Sequence, residues 1–218
     1  MAAALGPLLD RLVFVGGCAA GLLVDDPGAA PIRATLDVDL VAHVTALAAY
    51  HDLEREFIQL GFRRDTTSDV ACRLIFRGIQ VDLMPSDPVV LGVANRWYPL
   101  AMDTAQRFSL PGGAVIRLVS GPAFLATKFE AFADRGKGDP LASHDLEDIL
   151  TVLASRVRIL EEIHESPLEL QNYLAERCRG LLALRDFENY VPGLVGEDSN
   201  GDPTALVLQR LREITAIG

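Results

Sequence analysis

Leu36-Asp37-Val38-Asp39-Leu40-Val41 is the stretch on which the reading of this chain turns. A strand sends alternate side chains to opposite faces, so Asp37 and Asp39 share one face while Val38 and Leu40 point into a core. Two carboxylates so placed repel each other and resist burial. A divalent cation resolves that conflict, and the flanking sequence fits such chemistry. Upstream, the apolar run 12–15 ends in Gly16-Gly17; downstream, Val81-Asp82-Leu83 sets a third acid between apolar neighbours. A glycine turn for a triphosphate, with carboxylates to hold Mg²⁺, is what metal-assisted phosphoryl or nucleotidyl transfer needs.

Outward from that centre, residues 3–11 read as a short helix leading into a strand at 12–15. Gly16-Gly17 then turns the chain into a small-residue helix over 18–24. Residues 25–31 are a loop by their proline and glycine content. The strand over 36–41 is followed by helical spacing over 44–60, stopped by Gly61. Residues 73–76 and 79–84 read as a hairpin across Arg77-Gly78, with Pro85 ending its second arm. Residues 88–108 are ambiguous, and a further strand over 114–119 follows the Pro111-Gly112-Gly113 turn. From Pro122 the pattern is helical, over 122–134, 142–154, 156–164, 167–179 and 203–216. The expected class is α/β (α+β) with a mixed sheet, divided into an α/β core over 1–120 and a C-terminal helical domain over 121–218. Residues 193–203 are a polar loop; its Asp198, Asn200 and Asp202 lack the spacing and downstream glutamate of a calcium loop.

Composition narrows the class. The net charge of −10 argues against a broad nucleic-acid footprint, which shows as basic excess. No segment reaches the roughly 18 to 20 apolar residues of a membrane span, so no membrane partner is expected. Cys18, Cys72 and Cys178 are too widely spaced for a zinc pattern or a disulfide framework, and a reduced, cytoplasmic setting is expected. Val15-Gly16-Gly17-Cys18 looks like a lipoprotein cleavage box, but the apolar run before it is too short for a signal peptide. Of the 20 basic residues only Lys128 and Lys137 are lysine. Lysine is a compact point charge suited to phosphate, which marks both positions.

In the candidate site, Asp37, Asp39 and Asp82 coordinate one or two Mg²⁺. Backbone N–H groups of the Gly16-Gly17 turn meet phosphate oxygens, and Lys128 neutralises a phosphate. Arg135 and Lys137 sit in a Gly-rich turn beyond it. His144, Asp145 and Asp148 lie on the next helix, the two aspartates at i, i+3 on one face. Each piece has an ordinary counterpart: a Gly-Gly that only turns, an Asp-x-Asp on an exposed edge, helix-face charges, a histidine in a local hydrogen bond. Their order along the chain is what favours the functional reading.

These residues resemble the nucleotidyltransferase-fold proteins of the AbiEii/AbiGii toxin type, which include the MenT toxins, within the polymerase-β-like nucleotidyltransferase superfamily. The resemblance runs through Val15-Gly16-Gly17-Cys18-Ala19, Arg33-Ala34-Thr35-Leu36-Asp37-Val38-Asp39-Leu40, Val81-Asp82-Leu83 and Leu125-Ala126-Thr127-Lys128-Phe129-Glu130-Ala131-Phe132. Arg135-Gly136-Lys137-Gly138 and His144-Asp145-Leu146-Glu147-Asp148-Ile149 complete it, over roughly residues 10 to 155. It implies a polymerase-β-like core in which Asp37 and Asp39 are the metal pair and Asp82 the third strand carboxylate. Lys128 matches the lysine of a helix motif; Arg135, Asp145 and Asp148 match later motif positions. Gly16, Gly17, Cys18, Arg33, Lys137 and His144 are assigned with them to nucleotide binding. The implied activity is transfer of a nucleoside monophosphate from an NTP to a tRNA or protein acceptor, in a toxin paired with an antitoxin. Cys18 stands where the family often has Ser or Thr, the 25–31 loop is an insertion, and His144 replaces a Lys or Arg.

Two other readings stay open. One is a catalytically inactive nucleotide-binding or protein-interaction module on the same fold, motivated by Cys18 and the long loop. The other makes Cys18 a thiol nucleophile at a helix start, served by His43, His51 or His144, against the commoner role of a buried structural cysteine. Scattered arginines, including Arg33, Arg63, Arg64, Arg73 and Arg77, are the only support for an RNA acceptor; those on strands either line a groove beside Asp82 or, the reading slightly favoured, solvate the sheet.

Overall fold

The computed structural model describes residues 1–29, 35, 37–92, 95–135, 143–196 and 201–217, excluding the side chain of Arg135. Its contacts cluster into two compact units, Met1–Ala19 with Ala34–Ser120, and Ala20–Arg33 with Gly121–Gly218. Division by sequence order alone placed residues 20–33 with the first unit.

In the first unit, α1 (Ala2–Leu5) and a 3-10 segment (Gly6–Arg11) lead into β1 (Leu12–Val15); α2 (Gly16–Leu23) leaves it and belongs to the second unit from Ala20 on. There follow β2 (Asp37–Ala42), α3 (Leu47–Gln59), β3 (Arg63–Arg64), β4 (Arg73–Phe76) and β5 (Ile79–Pro85). After α4 (Pro88–Leu91) and α5 (Tyr98–Asp103), β6 (Gln106–Ser109) and β7 (Val115–Leu118) close the unit. Among the described residues the strands form one seven-stranded sheet in the order β3-β4-β5-β2-β1-β7-β6. It is mixed: β2 runs parallel to β5 and β1 parallel to β7, while the other pairs are antiparallel. The mixed α/β class expected from the sequence is therefore present.

Alternation along these strands gives the sheet two unlike faces. One carries Leu12, Phe14, Leu40, Leu74, Val81 and Leu83, all buried. α3 packs there: Tyr50 donates its hydroxyl proton to the Leu83 carbonyl at 3.0 Å, and the Phe62 ring meets Phe57 edge-on and stacks on Phe76. Arg64, on β3, reaches the same side to pair with the buried carboxylate of Glu54. The opposite face carries Val13, Val15, Asp37, Asp39, Gln80, Asp82 and Arg73, as the strand registers require.

Several local expectations shift. The hairpin turns on Arg77 at φ 51° and Gly78 at φ 85°, with Phe76 opposite Ile79. That is the left-handed two-residue turn whose twist suits a hairpin. β5 continues into Pro85, which pairs with Ala42 at the strand end, where a missing N–H is tolerated. α2 starts at Gly16 and not at residue 18; α3 starts at Leu47 and not at 44. β3 and β6, too short to show alternation, and α4 and α5, each a turn or so long with proline in the first turn, fill stretches the sequence left unassigned. Leu36, at the expected start of the second strand, lies outside the described residues.

The second unit is helical: α6 (Gly121–Arg135), α7 (His144–Ser155), α8 (Ile159–His164), α9 (Leu168–Leu182), α10 (Phe187–Val195) and α11 (Thr204–Thr215). Its core takes one stripe from each helix, among them Phe124, Phe129, Ile149, Leu153, Leu174, Phe187 and Leu211, all buried. α10 lies mostly in residues 180–192, which the sequence reading leaves unassigned, and runs into the start of the 193–203 loop; it carries Pro192 inside it, a residue that normally ends a helical pattern. Asp198 and Asn200 lie outside the described residues; Asp202 accepts hydrogen bonds from the Thr204 N–H and hydroxyl. The α7 C-terminus is held at several points. The N–H groups of Asp25 and Asp26 donate to the Ser155 carbonyl, and Arg210 donates to the carbonyls of Leu153 and Ala154. Arg156 donates to the Leu23 carbonyl and forms a two-point pair with Glu162. Those bonds satisfy carbonyls left over at a helix end and fix residues 23–26 within this unit.

Candidate functional site

Asp39 stands at the centre of the acidic face. In register it lies beside Val15 on β1 and beside Asp82 on β5, while Asp37 lies beside Gln80. Gly16, immediately after Val15, has φ 66°, and a Cβ built on it would come 1.7 Å from Asp39 Oδ2. The Asp39 carboxylate thus occupies space over the Gly16 backbone that any side chain would fill. It sits where α2 begins, and the positive end of a helix dipole favours a carboxylate there.

Asp82 is nearly buried and is held from β4. Arg73 donates from Nε to Oδ1 at 2.8 Å and from Nη2 to Oδ2 at 2.7 Å. This two-point fork is the strongest geometry available to a guanidinium and a carboxylate. The Asp82 hydrogen bonds push the Arg73 pKa further above its ordinary range, and Asp37 adds a smaller electrostatic pull in the same direction. The repulsion that the sequence reading relieved with a cation is therefore relieved in part by the protein itself, through Arg73 and the start of α2.

Cys72 lies near this face; burial, then the charges of Asp82 and Asp39, push its thiol up to about 11. Cys18 donates its thiol proton to the Val15 carbonyl at 3.2 Å. The histidines named as its bases are engaged elsewhere: His51 with Glu54, His144 with Glu147, and His43 facing Ser86.

In the second unit Lys128, Asp145 and Asp148 form a buried cluster. Lys128 Nζ lies 3.1 Å from Asp145 Oδ1 and 2.6 Å from Asp148 Oδ2, with the lysine side chain 10% exposed. Burial works to lower the lysine pKa, but Asp148 and Asp145 more than offset it, leaving it raised. The cluster follows from local structure. Ser143 caps α7, accepting from the Leu146 N–H, so Asp145 and Asp148 fall one turn apart on one side of the helix, opposite Lys128 on α6. His144, one residue off that side, is exposed and pairs with Glu147 at 3.2 Å.

The structure thus brings Asp39 and Asp82 side by side with Asp37 on the same face, and Gly16 beneath Asp39. Separately, it gathers Lys128, Asp145 and Asp148. Arg33 and Lys137 lie outside the described residues, as does the side chain of Arg135. Among the described residues, no three or more His, Cys, Asp or Glu side chains are grouped so as to hold a metal ion. Asp37 and Asp39 together still suit Mg²⁺, which is commonly held by one or two carboxylates plus substrate phosphates. Both Asp82 oxygens accept from Arg73, one lone pair of each being used.

Arg73, named from the sequence only among several scattered arginines, is the partner of Asp82 on this face. Its signal was available: a two-residue turn at Arg77-Gly78 fixes the hairpin register and sets Arg73 opposite Asp82. No protein-family model matches the chain, and no curated protein matches it either. Among the described residues, no helix is long and apolar enough to cross a membrane.

Proposed function

We propose that this chain is a Mg²⁺-dependent nucleotidyltransferase that moves a nucleoside monophosphate from an NTP to a tRNA or protein acceptor. The observation that carries the reading is the junction of β1, α2 and β2, where Asp39 packs on the Gly16 backbone with Asp37 on the same sheet face. Such a junction puts carboxylates beside the N–H groups of a helix start, a pairing suited to a metal-bound triphosphate. In the reaction an acceptor oxygen or nitrogen forms a bond to the α-phosphorus, and the bond from that phosphorus to the bridging oxygen breaks. Pyrophosphate leaves, and the acceptor proton passes to solvent. Mg²⁺ held by Asp37 and Asp39 would offset phosphate charge during that displacement. The polymerase-β-like core, the toxin role and an antitoxin partner belong to the same proposal and rest on the sequence resemblance.

The test is label transfer from each α-phosphate-labelled NTP, with Mg²⁺, into total tRNA and total protein, wild type beside Asp39→Asn. Label that depends on Asp39 supports the proposal and identifies the acceptor class. Label that persists in Asp39→Asn refutes the assignment of this face.

A second reading, nucleotide binding or protein interaction without turnover on the same fold, is favoured by the Arg73–Asp82 pair, which neutralises one of the three acids. It predicts NTP binding with no pyrophosphate release.

A further inference from the structure

We infer that Asp82 is a positioning residue, not a metal ligand: it fixes Arg73 as a permanent cation on the acidic face, and Arg73 contacts the ligand's phosphates. The inference rests on the nucleotidyl-transfer reading and names a substrate-binding residue for the same site.

Three observations carry it. First, both Asp82 oxygens accept from Arg73, through Nε and Nη2, at 2.8 and 2.7 Å. A carboxylate bonded in that way has committed one lone pair of each oxygen to a guanidinium. Second, the pair uses only two of the three guanidinium nitrogens. Nη1 makes no hydrogen bond among the described residues, and the Arg73 side chain retains 19% of its exposure against 11% for Asp82. The donor left over thus lies on the more exposed partner. Third, the registers Arg73↔Asp82 and Asp82↔Asp39 set Arg73, Asp82 and Asp39 across three adjacent strands on one face, with Asp37 close enough to act on Arg73.

The consequence is a division of labour. Asp37 and Asp39 would hold one divalent cation. Positive charge beside Asp82 comes from a fixed guanidinium, whose planar fork suits phosphate oxygens as well as it suits a carboxylate. Holding Arg73 by two bonds removes most of the rotamer freedom it would otherwise lose on meeting a phosphate.

The experiment is titration of the full chain with Mn²⁺, followed by its paramagnetic signal, and with a non-hydrolysable NTP analogue, with and without metal. One Mn²⁺ per chain is expected in the presence of the analogue. Asp82→Asn should keep that cation with affinity within about threefold of wild type, whereas Asp39→Asn should lose it. Arg73→Gln and Asp82→Asn should each weaken the metal-free analogue about tenfold, the scale of one charge-assisted hydrogen bond. Arg73→Lys should fall between. Because Asp82 acts through Arg73, the double variant Arg73→Gln/Asp82→Asn should be no weaker than Arg73→Gln alone. That neutral pair also keeps the test open if either single variant folds poorly.

Loss of Mn²⁺ in Asp82→Asn as complete as in Asp39→Asn overturns the inference while leaving the nucleotidyl-transfer reading in place. Additive losses in the double variant overturn it in the same way. Mn²⁺ and analogue binding unchanged in Asp37→Asn and Asp39→Asn overturns that reading, and the inference with it.

Discussion

Gly16 and Asp39 exclude one another's alternatives: a Cβ on Gly16 would stand 1.7 Å from Asp39 Oδ2 and 2.8 Å from Asp39 Cβ. Gly16 is also left-handed, at φ 66°. Gly16→Ala therefore meets two penalties, backbone strain of about 1 to 3 kcal/mol and overpacking of similar size, about 1 to 3 kcal/mol. The expected loss, read by urea unfolding, is about 2 to 6 kcal/mol before any relaxation. The obstructing atoms belong to a side chain, so part of the strain is relieved by turning Asp39 away. Label transfer in the folded fraction should then fall with it. A variant as stable and active as wild type would show that Asp39 does not need its place over Gly16.

At the hairpin, Arg77 occupies a left-handed position without being glycine. Asparagine suits that first turn position better than arginine, because its short side chain bonds locally and tolerates positive φ. The Arg77 guanidinium lies 5.2 Å from the Phe76 ring centre, and losing that contact offsets part of the gain. Arg77→Asn is expected to raise stability by about 0.5 kcal/mol, seen as a higher urea midpoint at unchanged slope. A lower midpoint would mean that the cation–ring contact outweighs the backbone term.

What the sequence made legible was set by range. β1 was readable as an apolar run, and β4 and most of β5 through the two-residue turn between them, signals that act within a few positions. The Arg73–Asp82 pair lay within the same reach, for the turn determines the register. The Gly16–Asp39 contact was not readable: it depends on β1 and β2 pairing antiparallel across an intervening helix and loop. α10 was hidden by Pro192, and the place of residues 20–29 in the helical unit rests on bonds such as Val157 N–H to Asp25 Oδ1. Sequence patterning carries no sign of a bond over that separation. The Lys128 cluster was half visible. Spacing put Asp145 and Asp148 on one helix face, but nothing local said that Lys128 would meet them in place of a ligand.

Cys178 offers a pH test of the helical core. It is almost completely buried on α9, and burial pushes its thiol from an ordinary 9.0 up to about 12. In the unfolded chain the thiol ionises near its ordinary value, whereas the folded chain keeps its proton. Unfolding then releases protons, so stability is complete below about 9 and falls as pH rises toward 12. By about pH 11 the loss from this one group reaches about 2 to 3 kcal/mol. Cys72, pushed up to about 11, adds a loss of the same sign. Cys178→Ala should be less stable than wild type at neutral pH, because it leaves a cavity. Its unfolding free energy should nonetheless decline less steeply between pH 9 and 11. Parallel pH profiles for the two proteins would mean that the thiol is reached by solvent in the folded state.

Lys128 bears on both fold and chemistry, and the two can be separated. Its ammonium meets Asp145 and Asp148 in a buried setting, so Lys128→Met takes the lysine's positive charge away from two buried carboxylates. Breaking a buried pair from one side costs about 3 to 5 kcal/mol. Because the folded lysine pKa lies above its ordinary 10.5, the lysine's contribution is complete below that value and fades as pH rises through the higher folded value. The gap between wild type and Lys128→Met should therefore hold steady from pH 8 to about 10 and close above it. Replacing the whole cluster, Lys128→Met with Asp145→Asn and Asp148→Asn, removes the buried carboxylate charges as well and should recover most of the stability. This stable triple variant isolates function. If it transfers label at the wild-type rate, the cluster serves only to hold α6 to α7. If it is folded yet inactive, Lys128 or its aspartates take part in handling the nucleotide.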